Sequence, residues 1–68
     1  MDISQLTEYI KIHLISLTQD IEEVAKKMDL LDEDSSNYKN LDFSYNFLSG
    51  QIHGISYILD VIEGKDND

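Results

Sequence analysis

The sequence contains no cysteine, no proline and no tryptophan, and only three of its 68 residues are glycine. Without cysteine the chain forms no disulfide and lacks the commonest ligand of a structural zinc ion. Strands joined by tight turns need more glycine and proline than this. The absences therefore exclude a disulfide scaffold, favour an all-α fold and point mildly to a reducing, intracellular compartment.

Basic residues are also scarce, since five of them stand against 14 acidic residues and give a formal net charge of −9. Nucleic-acid binding depends on clustered Lys and Arg that displace counterions, and the chain has no such cluster. The same charge disfavours anionic membrane surfaces. We therefore expect no direct binding to nucleic acid and no membrane partner.

Long apolar runs are absent too, because polar residues interrupt even the most apolar segment, residues 47–62. A membrane-spanning helix needs about 18 or more apolar residues in succession. The first residues lack the basic region and apolar core of a signal peptide. We expect a soluble, cytoplasmic protein.

The length allows one domain, residues 1–68, near the lower limit at which a single core suffices. Hydrophobic residues make up 41% of the chain and charged residues 28%, which is typical of a globular protein rather than a disordered one. Since disulfides are excluded and zinc is disfavoured, association between chains is the remaining means of stabilising so small a fold.

Two amphipathic segments predict two helices. The first spans about residues 3–30, with Asp2 as N-cap and Gln5 in capping-box position. Its apolar residues recur at steps of three and four: Ile3, Leu6, Ile10, Leu14, Leu17, Ile21, Val24 and Met28. An acidic connection over about 31–37 follows, rich in residues that favour turns and caps.

The second helix is predicted over about 38–63, with a start as early as Ser36 or as late as Asn40. Gly64 suits the position that ends a helix, and residues 64–68 form a polar tail. Two helices of nearly equal length predict an antiparallel hairpin. An inner stripe faces helix one: Leu41, Tyr45, Leu48, Ile52, Ile55, Leu59 and Ile62.

Helix two carries a second apolar stripe on roughly the opposite side. We call this set its outer face: Phe43, Phe47, Gly50, Gly54, Tyr57, Ile58 and Val61. Burying a large apolar side chain contributes roughly 1.5–3 kcal/mol, so leaving this face in water forgoes on the order of 10 kcal/mol. That amount is comparable with the whole stability of a domain, about 5–15 kcal/mol.

A second copy of the chain is the simplest cover for the outer face, because two-fold homodimers dominate soluble oligomers. Two hairpins would form a four-helix bundle with the two copies of helix two at its centre. Gly50 and Gly54, four residues apart, would permit close approach of the two backbones. The alternative is a monomer or loose dimer whose outer face binds a different protein.

Two further surfaces are candidates for contact. Tyr9, Ile12 and Ile15 stand off the apolar stripe of helix one, either as scattered surface residues or as a second contact patch. Asp29, Asp32, Glu33 and Asp34 form an acidic surface that could occupy a basic groove meant for nucleic acid. The plainer interpretation is that this acidity keeps a small, apolar-rich bundle soluble.

No pattern in the chain is typical of catalysis. His13 and His53 lie in different helices, without the Glu-x-x-His pairs of bundle metal sites. Phosphate-binding glycine loops and a Ser-His-Asp arrangement are missing as well. We expect no enzymatic activity, no cofactor and no metal, and an enzyme with a bundle metal site ranks last.

These observations predict a small acidic protein-binding module, an adaptor or inhibitor, that acts as a homodimeric helical bundle. The alternative is an acidic nucleic-acid mimic, of the kind phages use, that blocks a DNA- or RNA-binding protein. A small subunit of a larger assembly, with a partner helix on the outer face, ranks third.

Overall fold

The computed structural model describes residues 2–64, over which the chain forms two α-helices and no strand. α1 spans Ile3–Met28 and α2 spans Ser36–Glu63, and a connection over residues 29–35 joins them. The two helices pack against each other as a hairpin. The predicted all-α hairpin is therefore confirmed, while residues 65–68 of the predicted polar tail lie outside the described residues.

The N-terminus of α1 is closed by the predicted capping box. The Asp2 carboxylate accepts a hydrogen bond of 2.8 Å from the backbone N–H of Gln5. The Gln5 side-chain oxygen in turn accepts one of 3.1 Å from the backbone N–H of Asp2. Two backbone donors without intrahelical partners are satisfied in this way.

α1 ends at Met28, two residues before the predicted end near residue 30. The backbone N–H groups of Leu30 and Leu31 donate to the carbonyl oxygens of Lys27 and Met28. Such bonds, three residues back, tighten the chain and satisfy carbonyls that the helix leaves open. The observed end, with Asp29 as C-cap, lies within two residues of the predicted one.

The connection is organised by Asp32 and Ser35. The Asp32 carboxylate accepts from the N–H of Asp34 at 3.0 Å, and its carbonyl accepts from the Ser35 hydroxyl at 2.7 Å. Ser35 is the N-cap of α2, and its hydroxyl oxygen accepts from the N–H of Tyr38 at 3.1 Å. α2 therefore starts at Ser36, at the early limit of the predicted range.

Ser35→Ala should lower the free energy of unfolding by about 1 kcal/mol, because it removes this cap. Ser36→Ala is the matched control, since Ser36 lies one residue into the helix and its side chain forms no hydrogen bond within residues 2–64. Urea unfolding of both variants at one protein concentration measures the difference. Equal stability of the two variants would show that the cap contributes nothing.

α2 ends at Gly64, whose φ of 76° lies in the left-handed region that favours glycine. At this open end of the hairpin the Lys11 ammonium lies 3.3 Å from the Glu63 carboxylate and links the two helices. Because both side chains are partly exposed, such a pair contributes little to stability. Within residues 2–64, neither helix is long and apolar enough to cross a membrane.

The hairpin has very little core. Leu17, at the middle of α1, is 6% exposed and is the one hydrophobic side chain within residues 2–64 that is buried rather than partly exposed. The inner stripe of α2 faces α1 and is partly buried, except at Tyr45, which is 37% exposed. Ile3 and Leu6, which the α1 stripe placed inside, are exposed because they lie at the open end of the hairpin.

Leu17→Ala should lower the free energy of unfolding by about 2–5 kcal/mol, the range for removing a buried leucine side chain. Gln19→Ala, on an exposed position of the same helix, should stay within about 0.5 kcal/mol of the wild type. Urea unfolding at fixed protein concentration measures both effects. A Leu17→Ala variant as stable as Gln19→Ala would show that the helix pairing is not what stabilises the fold.

The molecule is elongated and measures 46 × 24 × 14 Å. Its radius of gyration is 15.2 Å, against about 11 Å for a compact domain of this length. Its accessible surface is 5278 Å², against roughly 4400 Å² for a compact monomer of its mass. The single chain thus exposes more surface than a globular protein of this size.

Candidate functional site

The outer face of α2 lies open along its whole length. All seven of its residues are exposed, and the rings of Phe47 and Tyr57 are each 60% exposed. From Phe43 to Val61 the face extends about 27 Å, at 1.5 Å per helical residue. It lies roughly 150° around the helix from the inner stripe, so the contact with α1 cannot cover it.

Gly50 and Gly54 lie at the middle of the outer face, and neither needs to be glycine for the hairpin. A Cβ atom added at either position would have no neighbour within 4 Å, and neither residue has a positive φ. A glycine inside a helix destabilises it by about 1 kcal/mol relative to alanine. The packing of a single chain therefore does not explain why either position is occupied by glycine.

The predicted patch on α1 is exposed as well. Tyr9 is 62% exposed, and Ile12 and Ile15 are comparably open. The Tyr9 ring lies nearly parallel to the ring of His13, with 6.4 Å between the ring centroids. This patch lies on α1, and the outer face lies on the far side of α2, so two partners could bind at once.

The four residues of the acidic surface are exposed around the connection. Asp32 differs from the other three because its carboxylate and carbonyl oxygens accept the hydrogen bonds that form the turn. Asp29, Glu33 and Asp34 accept no such side-chain bonds within residues 2–64. Charge and turn geometry can therefore be changed separately by experiment.

No arrangement in the described part of the chain is typical of catalysis. Residues 2–64 contain no group of three or more His, Asp or Glu side chains that could hold a metal ion. His13 and His53 are both exposed. An open cleft of about 440 Å³ lies near the connection, where it is lined by Lys27, Leu30, Leu31, Asn37, Asn40 and Leu41. Its lining is mainly apolar, with Lys27 as its one charged residue.

The sequence did not single out Leu30, which is 86% exposed at the rim of this cleft. Two successive leucines at the end of a helix were the available signal, because only one of them can point into the hairpin. Leu31 is the one that turns inward and is partly buried.

Comparisons with protein-family models, with curated proteins and with solved structures find no match to this chain. Function is therefore inferred from the exposure, charge and geometry of the chain's own surfaces.

Proposed function

We propose that this protein is a non-enzymatic protein-binding module, an adaptor or inhibitor, that acts as a homodimer. The observation that carries the proposal is the exposed outer face of α2. Within residues 2–64 the single chain buries one hydrophobic side chain, Leu17, and leaves this whole apolar face in water. Exposed contiguous apolar surfaces in soluble proteins mark interaction sites. Two chains that share this face would form a four-helix assembly with the two α2 helices at its centre.

The partner protein binds the patch on α1 formed by Tyr9, Ile12 and Ile15. This patch stays accessible when the outer face of α2 is occupied, because it belongs to the other helix. Tyrosine and isoleucine side chains contribute large apolar contact areas, and tyrosine is enriched where interfaces are strongest. The net charge of −9 favours a partner whose binding surface is basic.

The experiment compares capture of proteins from the native host by the tagged wild type and by Ile12→Ser/Ile15→Ser. We expect the variant to keep the mass of the wild-type assembly and to lose the captured partner. Ser16→Ala/Gln19→Ala is the matched control, because it changes two exposed polar residues of α1 and should retain the partner. Equal capture by all three proteins, or no capture by the wild type, would contradict the proposal.

A second candidate function is mimicry of nucleic acid by the acidic surface. All four carboxylates of the acidic surface are exposed, around a turn that Asp32 holds in place, and this exposure supports mimicry. A mimic binds its target mainly through charge, so the affinity should fall steeply with added salt.

Mimicry is tested with Asp29→Asn/Glu33→Gln/Asp34→Asn, which removes three charges and leaves the turn-forming Asp32 intact. If the protein is a mimic, this triple variant loses the captured partner and the Ile12→Ser/Ile15→Ser variant keeps it. The control Asp20→Asn/Glu22→Gln/Glu23→Gln removes three charges from the middle of α1 and should keep it too. Binding that is insensitive to salt and to the first triple variant would exclude mimicry.

A further inference from the structure

We propose that the two copies pack the outer faces of α2 antiparallel, about a two-fold axis level with residue 52. The inference rests on the proposed homodimer and specifies its geometry. Its occupant is a second copy of this chain, and three observations support it: the residue sizes along the face, the charge at the two ends of α2, and the surface area that a stable dimer requires.

The central part of the outer face is symmetric in residue type about residue 52. Residues equally far before and after this point are alike there: Phe47 with Tyr57, and Gly50 with Gly54. Further out the match is looser, since Phe43 corresponds to the smaller Val61 and Ile58 to Asn46. In an antiparallel pair with its axis at this level, each residue lies opposite its counterpart on the other copy. Glycine then faces glycine at the centre, where the backbones approach, and rings face rings on both sides. A two-fold interface requires this kind of self-complementarity.

Charge favours the antiparallel orientation over the parallel one. The last turn of α2 contains no basic residue, and the exposed Asp60 precedes it. The first turn contains no acidic residue, and the exposed Lys39 and Asp42 that follow cancel each other in charge. Helix dipoles add partial positive charge at the N-terminus and partial negative charge at the C-terminus. Antiparallel packing therefore places opposite ends of the two dipoles together, and parallel packing places like ends together.

The acidic surfaces favour the same orientation. A parallel dimer would place two connections side by side, each with Asp29, Asp32, Glu33 and Asp34 exposed. In an antiparallel dimer they lie at opposite ends of a particle whose single chain is already 46 Å long. That separation exceeds the screening length of about 10 Å at 0.1 M salt several-fold. Antiparallel packing thus separates the two acidic surfaces of chains that each carry a charge of −9.

The exposed area matches what such a dimer needs. The accessible surface of 5278 Å² exceeds that of a compact monomer by roughly 900 Å². A standard stable interface buries about 800 Å² from each partner. The excess surface of one chain is thus about the size of one partner's share of a stable dimer.

Distances between spin labels on the two copies test the geometry. The chain has no cysteine, so Asn40→Cys, Asn46→Cys and His53→Cys each take a single label at an exposed position. With the axis at residue 52, paired labels are offset along the helix by roughly 36, 18 and 3 Å, respectively, at 1.5 Å per residue. Pulsed dipolar spectroscopy of each labelled dimer measures the distance, and circular dichroism confirms that each variant is folded.

We expect the label distance to be largest at residue 40, intermediate at 46 and shortest at 53. Equal short distances at all three positions would mean a parallel dimer, which overturns the orientation and leaves the homodimer intact. A shortest distance at a position other than 53 would overturn the axis at residue 52. Folded variants without dipolar coupling at any position would be monomers, and this result would refute the homodimer itself.

Discussion

Phe47→Ser/Tyr57→Ser should sediment as a monomer at concentrations at which the proposed wild-type dimer persists. Both copies of the chain carry both substitutions, so the dimer loses four aromatic rings. Truncation of one buried aromatic ring costs about 3–5 kcal/mol, so the loss per dimer is on the order of 10 kcal/mol. That exceeds the binding free energy of about 8 kcal/mol that corresponds to a micromolar dissociation constant.

Tyr9→Ser is the matched control for this variant. The Tyr9 ring is 62% exposed in the single chain, nearly the same as the 60% of Phe47 and of Tyr57. In a protein that stays monomeric, all three rings are ordinary surface residues, and their loss changes stability by no more than about 0.5 kcal/mol each. If the wild type is a dimer, the double variant and Tyr9→Ser should differ greatly in mass and stability. If it is a monomer, they should hardly differ. Sedimentation equilibrium and urea unfolding measure both quantities.

Gly54→Leu should abolish self-association and leave the hairpin folded. The single chain has open space at this position, with no atom within 4 Å of an added Cβ. Leucine also favours the helix by nearly 1 kcal/mol relative to glycine, so helix content should stay unchanged or rise. In the proposed dimer the same side chain would lie where two backbones approach, and overpacking there is destabilising.

Asp42→Leu provides the control for Gly54→Leu, since Asp42 is exposed, lies off the outer face and is about 15 Å along α2 from residue 52. It adds the same side chain to the same helix and should leave the mass of the dimer unchanged. Circular dichroism and multi-angle light scattering record helix content and mass together. A Gly54→Leu protein that remains dimeric and equally stable would show that the glycines take no part in the contact.

Much of the hairpin could be predicted from the sequence because local rules determine it. Asp2 and Gln5 form the capping box, and Gly64 adopts the left-handed conformation that ends α2. The steps of three and four in the inner stripe identified the side of α2 that faces α1. Ile12 and Ile15, off the stripe of α1, are exposed as their spacing indicated.

The start of α2 and the end of α1, on either side of the connection, could be predicted less accurately. Ser35, Ser36 and Asn37 are all residues that cap helices, and the sequence does not choose among them. The choice depends on Asp32, whose carbonyl binds the Ser35 hydroxyl and thereby places Ser35 at the cap. Such a bond depends on the path of the backbone, which periodicity does not determine.

The sequence also did not predict that the apolar stripe of α1 is exposed at the open end of the hairpin, and the reason is different. Ile3 is 72% exposed although its spacing assigns it to the apolar stripe of α1. Periodicity gives the side of a helix on which a residue lies, and burial also requires a neighbour at the same height. At the open end of the hairpin, α2 has no residue at the height of Ile3 and so provides no such neighbour.

The mass of the wild-type protein in solution tests the central claim most directly. Sedimentation equilibrium over a dilution series into the low micromolar range should give twice the chain mass of 7.8 kDa, falling toward one chain only at the lowest concentrations. A constant mass of 7.8 kDa with full helix content would mean that one hairpin is stable with its outer face in water. That result would contradict the proposed assembly.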